Sequence, residues 1–380
     1  MHSQQEKFRR FAHGDRNAAI PNFEPGPLLS TYDRWLAEGL TPALDPHRYE
    51  EWCGAFGLDR HPLRLSITPK KEALYPEEIV DETATSVTIR RGDGSIIQDN
   101  KGTHKSIPHE IRPAVTNRGE WEKLKAWLDV DAPLPPADDP TMAGVLKTMR
   151  KADQPVFLHV GSLLGTPRNL LGFEEFAVKP YEDPEWFEDM IETQCRAAER
   201  QVRFLGENRV PVDGIHFWED ICYKNGPIIS PRHFIEYAVP RYRRLSELAG
   251  RFGYRLVSVD SDGDLTALID GWLEGGINML LPLEAQAGMD LNALQEKYPG
   301  RVLWMGGVHK FRLTGGEKEI TAELERIRPA VLKGMCIPML DHHVPHDVSF
   351  EHYLAYLRLK QDILGIGNGA PDRDTIFAKD

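Results

Sequence analysis

Six apolar stretches in the second half of the chain each end in acidic residues or histidines. From residue 155 onward they read PVFLHVG, DGIHFWED, YRLVSVDSDGD, INMLLPLE, RVLWMGGVH and MCIPMLDHH. A segment with helical periodicity follows each one, and strands that alternate with helices are typical of a parallel sheet. Parallel α/β folds build their active sites at the carboxyl ends of the strands, where these polar residues lie. The pattern therefore predicts an enzyme.

The spacing of these units favours a TIM (β/α)8 barrel. The segments with helical periodicity span about 184–206, 231–250, 264–274, 290–298, 315–332 and 349–363. HPLRLSIT, at 61–68, is a candidate first strand, so that upstream units bring the total close to eight. TSVTIRRGDGSIIQD alternates around Asp93-Gly94 and predicts a β-hairpin insertion. FRRFAHG, TYDRWLAEGL and RYEEWCGAF predict an N-terminal helical extension, and we expect residues 1–380 to form a single domain.

Composition narrows the class of protein. The chain has 58 acidic and 46 basic residues, a formal charge of −12, and no basic run that would serve nucleic acid or an anionic membrane. No apolar run approaches the roughly 20 residues that span a bilayer. The polar N-terminus lacks the apolar core of a secretory signal, and the four cysteines are scattered. We expect a cytoplasmic protein that binds neither nucleic acid nor membrane.

The sequence DSDGD at 260–264 is the densest acidic cluster. Three carboxylates within five residues repel one another unless a cation, a donor or a shared proton relieves them. We expect Asp260 or Asp262, or both, to face the site. Asp264 is better placed to cap the helix that follows.

The stretch FWEDICYKNG, at 217–226, brings two carboxylates and two aromatic residues to the end of another strand. Glu219 and Asp220 can serve as metal ligands or as general acid and base, although neighbouring strand residues point to opposite sides. We predict that Glu219 is catalytic. Trp218 and Tyr223 offer flat faces to a ring-shaped ligand.

Histidines and carboxylates at the remaining strand ends complete the predicted site. Asp341 and His342 form a candidate proton shuttle, or a metal ligand with its orienting carboxylate. The remaining candidates are assigned to substrate binding, and for several of them a structural role is an equal alternative. They are His159, Arg168, Asp260, Glu284, His309 and His343.

Several motifs together resemble the uroporphyrinogen decarboxylase superfamily, and in particular its methyltransferase-like branch that works with corrinoid proteins. They are WEDICYKNGPIISPRHF, VDSDGDL, PLEAQAGMD, GGVHK and IPMLDHHVP, in that order at successive strand ends. The resemblance implies a TIM barrel with its site at the carboxyl ends of the strands. Relatives that activate thiols bind zinc through His-x-Cys and a later cysteine. Here Asp260-Ser261-Asp262 and His342 stand at those places.

The resemblance implies a corrinoid-dependent methyltransferase, and we predict Glu219, Asp262 and His342 as its catalytic acids or as ligands of a metal such as zinc. A methyl group would move between a small substrate, such as a methoxylated aromatic, and the cobalt of a corrinoid (methylcobalamin) on a partner protein. No DxHxxG-type cobalamin motif occurs in the chain, so the corrinoid would be carried in trans. A homodimer is compatible with this interpretation. The alternatives are a decarboxylase that uses Asp341 and His342, and a non-catalytic protein that binds a corrinoid or tetrapyrrole.

Overall fold

Seven parallel strands form the centre of the molecule, as a computed structural model shows. The structure describes residues 3–68, 71–101, 108–369, 371 and 373–378. The strands of the central sheet pair in chain order, from the first near residue 63 to the last near residue 340. Helices lie between consecutive strands, as right-handed parallel connections require. The predicted α/β fold of the TIM-barrel type is confirmed.

The strands and helices are numbered in chain order. The strands are β1 Leu63–Leu65, β2 Glu78–Glu82, β3 Ser86–Arg90, β4 Ile96–Asn100, β5 His109–Arg112, β6 Val156–His159, β7 Gly214–Trp218, β8 Cys222–Tyr223, β9 Gly226–Pro227, β10 Leu256–Asp260, β11 Met279–Leu283, β12 Leu303–Val308 and β13 Cys336–Leu340. The helices are α1 Gln4–Ala12, α2 Leu29–Ala37, α3 Tyr49–Phe56, α4 Arg118–Leu128, α5 Pro140–Lys151, α6 Gly165–Leu171, α7 Phe173–Glu182, α8 Pro184–Glu207, α9 Pro231–His233, α10 Val239–Arg251, α11 Ile269–Glu274, α12 Leu291–Lys297, α13 Glu317–Leu332, α14 Phe350–Leu364 and α15 Arg373–Ile376. The central sheet consists of β1, β6, β7 and β10–β13.

Several of the predicted helix starts coincide with side-chain caps in the structure. Asp183, Asp290 and Ser349 each accept a hydrogen bond from a backbone N–H in the first turn of the following helix. The helix predicted from residue 264 begins only at Ile269. The residues before it form a turn, in which the Asp264 carboxylate accepts the N–H of Thr266 at 2.9 Å.

The inside of the barrel has its own apolar core, separate from the layer between strands and helices. Alternate residues of the central strands meet there, and Phe157, Leu256, Met279 and Leu303 are among them. Helix α1 packs the buried Phe8 and Phe11 against this core, with the rings of Phe8 and Phe157 6.1 Å apart. Helix α1 of the N-terminal extension therefore closes the end of the barrel that lies opposite the strand tips.

In the described part of the chain, β1 and β13 are the two edge strands of the sheet and do not pair with each other. Residues 22–28 lie between them and close the barrel at this point. The N–H of Leu28 donates to the carbonyl of Val344 at 3.1 Å, and the N–H of Leu340 donates to Glu24 Oε2 at 3.1 Å. Glu24 Oε1 accepts from Lys360 Nζ at 2.5 Å and from the Tyr356 hydroxyl at 2.6 Å. Both members of the Glu24–Lys360 ion pair are fully buried, so this network ties the closing segment to α14.

The predicted hairpin insertion is confirmed, and it is part of a larger antiparallel sheet of β2–β5. β3 pairs with β4 around the turn at Asp93-Gly94. Gly94 has a φ of +94°, and a Cβ there would lie 2.9 Å from the Tyr75 ring, so the turn requires glycine. Among the described helices, none is both long enough and apolar enough to cross a membrane.

Candidate active site at the carboxyl ends of the strands

The polar strand ends surround a cavity of about 480 Å³ at one end of the barrel. Its walls carry three aspartates, one arginine and several aromatic and apolar residues. The lining residues are Glu24, Pro25, Gly26, Tyr49, His61, Arg64, Trp218, Asp220, Asp260, Asp262, Leu281, Pro282, Met339, His342 and His343. The volume is in the range of sites for small molecules.

Asp262, Glu284 and His342 form a three-residue cluster beside this cavity. Each offers one ligand atom, and these three atoms all lie within 4.8 Å of one another. His342 Nε2 is 3.8 Å from Asp262 Oδ2. The residues come from the loops after β10, β11 and β13, so three separate strand ends build one site.

Hydrogen bonds hold the Glu284 carboxylate and the Asp262 backbone of the cluster in place. The N–H of Gly263 donates to Glu284 Oε2 at 2.7 Å, and Gln286 Nε2 donates to Glu284 Oε1 at 2.9 Å. The N–H of Asp262 donates to Asp220 Oδ1 at 3.3 Å. Gly263 has a φ of +89°, and a Cβ there would be 2.6 Å from the carbonyl oxygen of Tyr223. The Asp262 loop can therefore lie against the β8 segment only with glycine at 263.

Burial and neighbouring carboxylates set the charge of the cluster. Burial, together with the neighbouring carboxylates of Glu284, Asp220 and Asp260, raises the pKa of Asp262 to about 7, against the opposing effect of Lys310. Burial, Lys310 and His343 lower the pKa of His342. A neutral histidine beside crowded carboxylates is a metal-binding arrangement, since a cation relieves the repulsion and neutral imidazole is the form that binds.

We expect Asp262→Asn to remove one contribution to the pH dependence of stability in the metal-free protein. Because the folded-state pKa of Asp262 lies above the unfolded value, the folded state binds more protons between pH 4 and 7. The contribution of Asp262 to wild-type stability should therefore fall as pH rises through this window. The variant lacks that titration and should melt above the wild type at pH 8. Thermal unfolding at pH 5 and pH 8 after chelation measures this; the same change in melting temperature in both proteins would contradict a raised pKa at Asp262.

The donor set of the cluster fits a divalent transition metal such as zinc. Zinc takes histidine nitrogen and carboxylate oxygen at about 2.0–2.2 Å, and catalytic sites use three protein ligands with one position left open. Tetrahedral bonds of that length separate the ligand atoms by roughly 3.4 Å. Small side-chain movements would bring Asp262, Glu284 and His342 to this spacing from their present separations. Two carboxylates and one imidazole make a harder ligand set than a thiolate site.

Glu219 lies outside this cluster, in a buried position behind the strand end. Its carboxylate accepts the N–H groups of Leu163, Leu164 and Gly165 at 2.7, 2.8 and 2.9 Å. The side chain is fully buried, and burial raises its pKa. The sequence analysis predicted Glu219 as a catalytic residue and metal ligand, whereas the structure brings Glu284 to Asp262 and His342. Glu219 is placed to fix the loop that begins α6.

Glu219→Gln is expected to lower the free energy of unfolding by about 2–3 kcal/mol, because an amide NH2 would face backbone N–H donors and leave at least one unpaired. Chemical denaturation measures the loss. Glu207→Gln, at an exposed position near the end of α8, is the matched control and should change stability little. A Glu219 variant as stable as this control would show that the three hydrogen bonds do not anchor the loop.

Asp220 lines the cavity, whereas its neighbour Glu219, the residue chosen from the sequence, does not. Its φ is +50°, a left-handed conformation that is uncommon for residues other than glycine. Arg168 Nη1 donates to the Asp220 carbonyl at 2.5 Å and so helps to hold this conformation. Arg168 thereby has a partner in the loop, and it is not among the described residues that line the 480 Å³ cavity.

Asp341 is fully buried and joins two of the loops around the cluster. Its two carboxylate oxygens accept the N–H groups of Gln286 and Lys310, both at 3.0 Å. Burial raises the pKa of Asp341. The predicted catalytic pair of Asp341 and His342 is thus adjacent in sequence, but only His342 lines the cavity. Asp341 holds the loops after β11 and β12 in position.

The remaining predicted residues lie at different places in and around the cavity. Trp218 and Tyr223 are 48% and 53% exposed, and Trp218 lines the cavity, whereas the Tyr223 ring packs 5.6 Å from Phe173. His159 lies 5.6 Å from the ring of His216, and burial lowers its pKa. His309 lines a neighbouring cavity of about 360 Å³ together with Glu284.

Two further predicted residues that line the cavity, His343 and Asp260, each contact another residue that lines it. His343 is exposed, and its Nδ1 is 2.9 Å from the carbonyl oxygen of Gly26. Asp260 pairs with Arg64, whose Nη1 donates to Asp260 Oδ2 at 3.0 Å. Burial raises the pKa of Asp260 to about 6, against the opposing effect of Arg64.

The sequence analysis did not select Arg64 as a site residue. It is the central residue of the short β1 and alternates with the apolar Leu63 and Leu65. An arginine at an alternating position of a predicted barrel strand was the available signal, since such positions point into the barrel. The pairing with Asp260 depends on tertiary structure and has no local signature.

These features define a TIM-barrel protein with a candidate metal centre at the carboxyl ends of its strands. No protein-family model matches the sequence, and none of the curated proteins compared with it matches. Among solved structures, a methyltransferase from Methanosarcina mazei is similar over 95% of this chain and 99% of its own, with a TM-score of 0.59 and 13% identity. This likeness shows the shared fold, the one that the resemblance noted in the sequence implies.

A second solved structure is more distant. A B12-independent methionine synthase from Shewanella sp. W3-18-1, in complex with selenomethionine, matches 62% of this chain and 68% of its own. The TM-score is 0.35 and the identity 11%, so this match supports no argument about the site.

Proposed function

We propose that the protein is a metal-dependent methyltransferase that moves a methyl group between a small substrate and the cobalt of a corrinoid on a separate protein. The observation that carries the proposal is the cluster of Asp262, Glu284 and His342 beside a small-molecule cavity. The shared fold with a methyltransferase supports the reaction class. The motif resemblance in the sequence supports the corrinoid as partner.

The residues of the cluster would hold zinc, which when bound polarises the heteroatom from which the methyl group departs. His342 supplies a neutral nitrogen, since burial lowers its pKa. Gly263 and Gln286 orient Glu284 through the hydrogen bonds to its two oxygens. Asp220 positions the backbone of Asp262. These contacts keep the ligand atoms close together while the substrate is bound and released.

The cavity is suited to the substrate, and the corrinoid would approach from the solvent side. Trp218, half exposed, presents an aromatic face at the cavity. Leu281, Pro282 and Met339 form an apolar wall. An aromatic face and an apolar wall favour a flat, ring-shaped methyl donor. The methoxylated aromatics predicted from the sequence meet this requirement.

An anaerobic assay with free cob(I)alamin tests the proposal. Zinc-loaded protein and a methoxylated aromatic should convert cob(I)alamin to methylcobalamin, which the visible spectrum reports, and chelation followed by zinc addition should abolish and restore the rate. Tight cobalamin binding without methyl transfer would favour a binding protein. Release of carbon dioxide from a carboxylated substrate without methyl transfer would favour a decarboxylase, and either outcome would overturn the proposal.

A further inference from the structure

One basic side chain faces the cavity beside the cluster. Arg64 is the one arginine or lysine among the described residues that line it. The side chain is 32% exposed and comes from β1, across the barrel interior from Asp260 on β10. A cation at this place is conspicuous because Asp220, Asp260 and Asp262 line the same cavity.

Most of the hydrogen-bonding capacity of Arg64 is available to a ligand. A guanidinium has five N–H donors in a planar fork. In the part of the chain that the structure describes, the bond of Nη1 to Asp260 Oδ2 is the hydrogen bond that this side chain makes. Asp260 occupies one donor and balances the charge, so the side chain is held in position while its other donors remain free to bind an anion.

An aromatic surface lies directly beside this ion pair. Trp218 is the register partner of Asp260 on the neighbouring strand β7, so the two side chains project from adjacent strands at the same level. The indole is 48% exposed. A planar ligand whose carboxylate binds Arg64 would therefore extend along the Trp218 ring and the apolar wall of Leu281 and Met339.

A divalent cation in the cluster would reduce the negative charge that opposes an anion at Arg64. That cation balances Asp262 and Glu284, and Arg64 balances Asp260. Asp220 directs Oδ1 to the N–H of Asp262. The unused donors of the guanidinium are the cationic donors that remain free at the cavity, and carboxylate oxygens match their spacing.

We propose that Arg64 is the specificity-determining residue of the site and selects substrates that carry a carboxylate on an aromatic ring. The nature of the reaction rests on the proposed function above, whereas the anion preference rests on the contacts of Arg64 itself. Arg64 would bind the carboxylate, and the ring would lie against Trp218 with its methoxy group toward Asp262 and His342.

Calorimetric titration of the zinc-loaded protein with 4-methoxybenzoate and 4-methoxybenzamide tests this inference in the absence of any corrinoid. A charge-assisted bidentate contact predicts that the wild type binds the benzoate about 10- to 100-fold more tightly than the neutral amide. Arg64→Met should abolish this preference. Arg64→Lys should restore part of it, since lysine keeps the charge but not the fork.

Two further variants test whether the effect of Arg64→Met comes from the loss of this particular contact. Arg358→Met, on the surface of α14 and paired with Glu317, removes the same charge and should keep the preference. Asp260→Asn removes the internal competitor for Arg64 and should tighten benzoate binding, which a merely unfolded variant would not do.

An equal affinity for both ligands in the wild type, or an unchanged preference in Arg64→Met, would overturn the inference. A retained preference without methyl transfer to cobalamin would contradict the proposed function alone.

Discussion

His342→Ala is expected to weaken zinc binding by more than about 100-fold and to abolish zinc-dependent methyl transfer. Loss of residues that merely orient metal ligands typically costs about 10- to 100-fold in affinity, and His342 is the one nitrogen donor of the cluster. Without it, Asp262 and Glu284 leave a pair of carboxylates that suit magnesium or calcium better than zinc. Competition titration with a chromophoric chelator measures the affinity.

His343→Ala is the matched control for this prediction. His343 is the next residue, it lines the same cavity, and its ring lies 5.2 Å from that of His342. Its Nδ1 is engaged with the carbonyl of Gly26 and it is not a member of the cluster. We expect the control to keep the zinc affinity of the wild type. Equal losses in the two variants would mean that the imidazole of His342 is not a ligand.

Lys360→Met is expected to lower the free energy of unfolding by about 3–5 kcal/mol, the usual cost of leaving one member of a buried ion pair without its partner. Glu24 and Lys360 are both fully buried, and Lys360 Nζ lies 2.5 Å from Glu24 Oε1. The loss should also loosen residues 22–28, since Glu24 accepts the N–H of Leu340 at the end of β13. Denaturant unfolding measures the change.

The double variant Glu24→Gln/Lys360→Met separates the charge from the packing. It removes both charges but keeps an amide oxygen that can accept from Leu340 or Tyr356. We expect it to regain at least half of the stability that Lys360→Met loses, because no uncompensated charge remains. A double variant no more stable than Lys360→Met would show that the contact acts through packing rather than through charge.

The barrel could be predicted from the sequence because each strand carries its own signal. The six apolar stretches from residue 155 became β6, β7 and β10–β13, and β1 lies within HPLRLSIT. Hydrophobic periodicity is a local property, and the order of parallel strands follows from the connecting helices. Closure of the barrel by residues 22–28 had no such signal, since it depends on Glu24 meeting Lys360 from the far end of the chain.

Which residues form the cluster could be predicted only in part. Asp262 and His342 were predicted from the sequence as metal ligands, but so was Glu219, at the end of β7, which is not part of the cluster. Strand alternation allows one of Glu219 and Asp220 to face the cavity, but it does not say which. The left-handed φ of Asp220 ends the alternation at this point and turns its carboxylate toward Asp262. Glu219 is left behind the strand, against the start of α6. Only the assembled loops show that Glu284 completes the set.

The most direct test of the central claim is an anomalous difference map from crystals of the zinc-loaded protein, collected on both sides of the zinc absorption edge. We predict one strong peak within about 2.0–2.2 Å of a carboxylate oxygen of Asp262, a carboxylate oxygen of Glu284 and Nε2 or Nδ1 of His342. A peak at other residues, or no peak at these three under full zinc loading, would contradict the metal centre and the function proposed for it.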